Sequence, residues 1–321
     1  MPPIKNPECL TVGLAQMAPV WLNREGTTNK MLTFIQEAAD KGCHIVAFGE
    51  ALLPGYPFWT ELTDGAKFNS SIQKEIHAFY MSQSIRISKG HLDALTGVCK
   101  KNKIATVFGF IEQAEDRGHH SLYCSLAHIN REGECLYVHR KLMPTYEERL
   151  SWSIGDGHGL QVHPLGNFSV GALNCWENWM PLVRSALYGL GEDFHIAIWP
   201  GNLHNTTDIT RFIAKESRSY VLSVSGLMRK EDIASSLPHA DLILKNCPPV
   251  LANGGSCLAA PDGSWMIEPQ PPVEQLFVAT IDHERVRQER QNLDVSGHYA
   301  RPDVVRLTVD RRRQSNLDLI A

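Results

Sequence analysis

The feature that most constrains this chain is a compact strand–helix–strand unit near its start. Residues 10–16 (LTVGLAQ) read as a buried strand, an almost wholly apolar run without charge. Residues 27–41 follow with Met31, Phe34, Ile35, Ala38 and Ala39 at helical spacing, and Gly42 stops the helix. Residues 44–49 (HIVAFG) then form a second strand that closes on Glu50. A helix between two strands is the usual connection of a parallel pair, so the chain is expected to be layered α/β.

The remainder keeps that alternation. A helix over 91–103 feeds a strand over 104–112, and strands 122–129 and 134–140 flank the turn Asn130-Arg131-Glu132-Gly133. Strands 160–165 and 168–174 flank Gly166-Asn167 as a second hairpin. A helix over 181–190, a strand over 194–199, a helix over 208–219 and a strand over 220–228 come next. Residues 230–255 read as a loop, because Pro238, Pro248, Pro249, Gly254 and Gly255 punctuate them. Residues 257–260 and 264–267 suggest a hairpin around Asp262-Gly263, and 276–281 a last strand. Hairpins beside crossovers imply mixed sheets. With no internal repeat and no linker of biased composition, one domain over 1–321 with a short C-terminal tail is expected.

Composition narrows the function. Lys plus Arg is 31 and Asp plus Glu is 35, a net charge of −4, so the bulk positive field of a nucleic-acid binder is missing. Arg311, Arg312 and Arg313 read as a solvated tail end. No apolar run approaches the ~18 residues of a membrane helix, and the first residues lack the apolar core of a signal peptide. No membrane partner and a cytoplasmic location are therefore expected. The 8 cysteines contain no C-x-x-C pair, which argues against a zinc ribbon or a redox dithiol and makes most of them reduced core residues. Gly155-Asp156-Gly157-His158-Gly159-Leu160 fails as a nucleotide loop, since it lacks the third glycine and precedes a strand. His119 and His120 sit in a polar turn, as an exposed pair would. No metal or cofactor is expected.

Reactive residue types stand where strands end. Glu50 closes HIVAFGE, Lys141 closes YVHRK and Cys175 closes FSVGALNC. Ligands of α/β proteins bind beyond the carboxyl ends of strands. Singly, each has a plain structural explanation, a rim charge or a core thiol. Together they make a chemical unit. A thiol with a pKa of about 8.5 needs a base, a crowded carboxylate can serve as one, and an ammonium can hold the charge that builds as the thiolate attacks.

The segments FGEALLPGYP, HRKLMPTYEER and LNCWENWMPL, with GHYARPD over 297–303, resemble the nitrilase branch of the carbon–nitrogen hydrolase superfamily. The likeness runs from Leu10 to about Leu307 in the family's order of Glu, Lys and Cys. It implies a four-layer α-β-β-α sandwich of two mixed sheets. It also implies hydrolysis of an organic nitrile to the acid and ammonia through a cysteine thioimidate and thioester, without cofactor. By motif, Cys175 resembles the nucleophile, Glu50 the general base, Lys141 the stabilising cation and Glu148 a second, assisting glutamate. Tyr56, Trp152, Trp176 and Trp199 fall where relatives line the substrate pocket, and the family's homo-oligomers make self-association expected. An amidase with the same triad is the alternative, against which Trp176 and Glu177 after the cysteine speak. Cys175 is expected to be the only essential cysteine, with replacement of Cys124 or Cys257 costing stability at most.

Overall fold

The structure is a computed structural model and describes residues 4–317; the outermost parts of the expected 1–321 domain, 1–3 and 318–321, lie outside the described residues. The first half runs β1 (Cys9–Gln16), α1 (Arg24–Asp40), β2 (Ile45–Phe48), α2 (Trp59–Leu62), α3 (Ser71–Gln83), α4 (Asp93–Asn102), β3 (Ala105–Gln113), β4 (Leu122–Ile129) and β5 (Cys135–Arg140). Next come β6 (His163–Leu165), β7 (Phe168–Asn174), α5 (Pro181–Gly189), β8 (Phe194–Trp199), α6 (Leu203–Ser217) and β9 (Tyr220–Ser225). The chain continues with β10 (Leu227–Arg229), α7 (Ala240–Asn246), β11 (Val250–Asn253), β12 (Cys257–Ala259), β13 (Trp265–Ile267), β14 (Gln275–Asp282) and α8 (His283–Arg290).

The strands form two six-stranded sheets, ordered β14-β1-β2-β3-β4-β5 and β13-β12-β9-β8-β7-β6, and a small ribbon of β10 and β11. In the first sheet β1, β2 and β3 are parallel, and the antiparallel steps to β4 and back to β5 leave β5 pointing the same way. In the second, β7, β8 and β9 are parallel. The carboxyl ends of β2, β5 and β7 therefore open onto one edge of the sandwich.

Alternation along the strands builds the layers. Leu10, Val12 and Leu14 of β1 lie between the sheets against Leu222 and Val224 of β9, in one cluster with Phe194, Ile196 and Ile198 of β8 and Phe168 and Val170 of β7. The opposite face of the first sheet carries Val46, Phe48 and Phe108 against Met31, Ile35 and Ala38 of α1 and Leu95 and Cys99 of α4. The outer face of the second packs Ala197, Val221 and Ala259 against Ile209, Ile213 and Ala214 of α6. Helix, sheet, sheet and helix make four layers, the fold the resemblance implied.

Three expected elements change. The strand expected over 220–228 divides at Gly226, whose N–H donates to Trp199 O at 3.3 Å, so β10 leaves the main sheet and pairs with β11. The loop expected over 230–255 contains α7 and β11, with Ala240 and Ile243 buried. The helix expected from 208 begins at Leu203, because the Asn202 side chain caps it by accepting from the His204 N–H at 2.9 Å. The tail is not wholly solvated either: the Arg313 guanidinium donates to Asp156 Oδ1 at 3.0 Å and to Val138 O at 3.0 Å. Among the described residues, no helix is long and apolar enough to cross a membrane.

Candidate active site

Glu50 follows β2 and is 2% exposed. Its N–H donates to Trp199 O at 3.0 Å, which ties the end of β2 to the end of β8 in the other sheet. Gly109 of β3 lies beneath it, where a Cβ would stand 2.6 Å from Glu50 Cα, so any larger residue there would displace the base. Lys141 follows β5 and is fully buried. Its N–H continues the ladder to Cys124 O at 2.8 Å, and its Nζ stands 2.9 Å from Glu50 Oε1 and 2.7 Å from Glu148 Oε2.

Glu148 sits on a 3-10 turn over Tyr146–Leu150, fixed by a reciprocal capping box with Thr145, whose N–H donates to Glu148 Oε2 at 2.6 Å. Its other oxygen accepts from the Tyr56 hydroxyl at 2.9 Å. Trp152 packs edge-on against Tyr56 at 5.5 Å, and its ring lies 5.7 Å from Lys141 Nζ.

Cys175 begins a 3-10 turn over Cys175–Trp179 with a left-handed φ of +46°. For a non-glycine residue that conformation is strained and needs a brace. Two groups supply it. The Glu177 carboxylate accepts from the N–H of Asn174 at 2.9 Å, from that of Leu142 at 2.6 Å and from His139 Nε2 at 3.0 Å, which binds the cysteine turn to the end of β5. Asn178 Nδ2 donates to Cys175 O at 2.7 Å, so its Oδ1 accepts from His195 Nε2 at 2.7 Å, and His195 Nδ1 in turn meets Glu192 Oε1 at 2.9 Å. This chain is wholly buried, and Gly171 is what admits it, since a Cβ there would run into Glu192 Oε1.

The electrostatics suit a resting thiol beside a base. Burial pushes the Cys175 thiol well above its ordinary value, and Glu50 adds to this; Lys141 opposes it. Burial also raises the Glu50 carboxyl to about 7, against the pull of Lys141. For Lys141, burial works against the charged form, but Cys175, Glu50 and Glu148 outweigh it and keep the group an ammonium.

Ligand atoms of Glu50, Glu148 and Cys175 lie within 4.8 Å of one another, the one cluster among the described residues with the spacing of a metal site. The Lys141 ammonium already stands against both carboxylates, where a metal would put its charge. The four residues expected to act together are thus brought together, with Tyr56 and Trp152 beside them.

The other two aromatics go elsewhere. Trp176, expected in the pocket, is 53% exposed, since successive side chains of a 3-10 turn project about 120° apart and this one faces outward. Trp199 is fully buried behind Cys175, its indole N–H 3.3 Å from Ser223 Oγ. Sequence reading missed His139, Glu192 and His195, which only the fold brings together; Glu177 and Asn178, within the cysteine motif, were the accessible signal. Cys124, expected to matter for stability at most, stands with its thiol 3.5 Å from Glu50 Oε1.

The carbon–nitrogen hydrolase family profile matches residues 11–291, and the chain belongs to that family. Within it, the chain is similar to a protein named nitrilase 2 from an unknown prokaryotic organism, 36% identical over 94% of this chain and 93% of that one. It is also similar to the aliphatic nitrilase of Rhodococcus rhodochrous, 31% identical over 99% of this chain and 84% of that one. A carbon–nitrogen hydrolase structure from Helicobacter pylori G27 superposes with a TM-score of 0.69 over 92% of this chain and 96% of that one, at 16% identity.

Proposed function

We propose that the protein is a nitrilase that converts an organic nitrile and two waters to a carboxylic acid and ammonia, working as one domain over 1–321. The observation that carries this reading is the buried cluster of Cys175, Glu50 and Glu148 around Lys141. Glu50 takes the thiol proton as Cys175 Sγ bonds to the nitrile carbon and passes it to the nitrogen, which gives a thioimidate and restores the carboxylate. Glu50 then draws a proton from a water that adds to the same carbon and gives it to the nitrogen; the new hydroxyl yields its proton to the leaving nitrogen as the C–N bond breaks, releasing ammonia and leaving a thioester. A second water attacks the thioester, breaks the C–S bond and returns the proton to sulfur. Lys141 faces the negative charge of each attack, while Glu148, steadied by the Tyr56 hydroxyl, holds the ammonium and orients substrate.

The test is ammonia release from nitriles of graded size against their amides. Nitriles are expected to give acid and ammonia faster than the amides do. Turnover of amides alone would assign the same residues to an amidase.

Self-association is part of the proposal. Trp176, Trp179, Leu182 and Phe212 are about half to two-thirds exposed (53%, 48%, 68% and 52%) on the cysteine turn, α5 and α6, and Arg184 reaches over the Phe212 ring at 5.5 Å. An apolar face of that kind is usually covered. Light scattering should detect a dimer or larger species, and Leu182→Glu should shift it toward monomer; a wild type that is monomeric throughout would refute the idea. A cytoplasmic location fits the cysteines, all 8 of which are free thiols.

A further inference from the structure

The Cys124 thiol is an expected core residue in an unexpected place. It lies on β4, where the pairing of Ser125 with Arg140 continues to set Cys124 opposite Lys141. Its Sγ–H donates to Glu50 Oε1 at 3.5 Å, a normal length for sulfur, and the Lys141 ammonium meets the same oxygen at 2.9 Å. The other oxygen, Glu50 Oε2, is buried and has no hydrogen-bond partner among the described residues. Buried carboxylate oxygens are normally satisfied, so one left open beside the Cys175 thiol calls for an explanation.

Resting on the reading of Glu50 as the base, we infer that Cys124 is a positioning residue: its thiol and Lys141 together hold Oε1, so that Oε2 is kept free to exchange the reaction's protons. The step balances without an oxidant. Cys124 keeps its proton throughout, and only its hydrogen bond to Oε1 acts on the base.

A donor to the ionised form favours that form. The other groups facing Glu50 are Lys141 from the end of β5, Glu148 from the 3-10 turn, Cys175 from the turn after β7, Tyr56 from the loop after β2 and Tyr80 from α3. All of them remain in the Cys124 variants. Loss of the thiol should therefore move the acid limb of activity to higher pH by about half a unit, the weak end of one hydrogen bond, and lower kcat roughly 3–10-fold as the carboxylate loses its fixed orientation.

Two measurements on full-length protein test this. One is the pH profile of kcat/KM with a nitrile the wild type hydrolyses. The other is the pH dependence of Cys175 alkylation by iodoacetamide, followed by peptide mass spectrometry, which needs no substrate. Cys124→Ala and the bulkier Cys124→Val should raise the acid limb in both, and Cys124→Ser, which keeps a donor, should restore it. A role confined to packing would lower the melting temperature and leave the limb where it is. Wild-type limbs in both Cys124→Ala and Cys124→Val would overturn the inference. A wild type that hydrolyses no nitrile while its alkylation limb still shifts with Cys124→Ala would instead fail the nitrilase reading and uphold the role of Cys124.

Discussion

Cys175→Ala should leave a folded protein with no measurable turnover. Removal of a nucleophile that acts as a unit with its base costs on the order of 10⁴-fold or more, because the remaining groups cannot form the covalent intermediate. The fold should survive. The substitution deletes one sulfur, keeps a Cβ in the same left-handed backbone, and leaves the Glu177 and Asn178 hydrogen bonds in place. The check is ammonia release beside circular dichroism and thermal unfolding, with intact-mass spectrometry to confirm that no substrate adduct forms. Full activity in this variant would end the proposal that Cys175 is the nucleophile.

Lys141→Ala should fail differently, losing both rate and stability. Loss of a cation that faces the developing charge lowers kcat by roughly 10²-fold or more. It also strands Glu50 and Glu148, both almost wholly buried, as unpaired carboxylates, and breaking a buried pair from one side costs about 3–5 kcal/mol. The pH dependence has a definite sign. Burial raises the Glu50 carboxyl to about 7 even against Lys141, and without that pull it binds its proton more tightly still than in the unfolded chain, so the variant should regain stability as pH falls from 8 to 5 and lose it as pH rises. Lys141→Arg should not restore activity, since a planar fork does not fit where a compact ammonium meets two carboxylates. Adduct formation at Cys175 should be far slower in Lys141→Ala than in wild type. Equal adduct rates, or a melting temperature unchanged at pH 8, would mean that Lys141 has no such role.

What the sequence made legible follows from local chemistry. The ends of β2, β5 and β7 could be read because each apolar run breaks on a reactive or charged residue, and the strand-end rule then gives the three a common destination. The region 230–255 could not, since Pro238, Pro248 and Pro249 mark breaks without saying what lies between them. Gly226 hid a change of sheet inside one apolar run, because what it answers to comes from elsewhere in the fold: its N–H meets Trp199 O, and a Cβ would stand 2.5 Å from Pro200 O. α3 went unread although Ser70 caps it and Ile76 and Tyr80 face inward with i,i+4 spacing. Cys124 needed the register of β4 on β5 before its neighbour could be known. Of the Glu192–His195–Asn178 chain only Asn178, inside the cysteine motif, could be seen, since its members serve separate elements until the sheet assembles.

Glu50 and Lys141 extend from one sheet and Cys175 from the other, pinned across the gap by Glu50 N–H on Trp199 O and by Glu177 on Leu142. The distance between attacking sulfur and base is thus set by the thickness of the layer that separates the sheets. Side chains such as Ile198 and Val224 act as spacers of fixed dimension, and a methylene added or removed there alters that thickness. Residues that never approach the substrate are in this sense part of the tolerance to which the reaction is built, and the hydrophobic interior sets a width as well as providing burial.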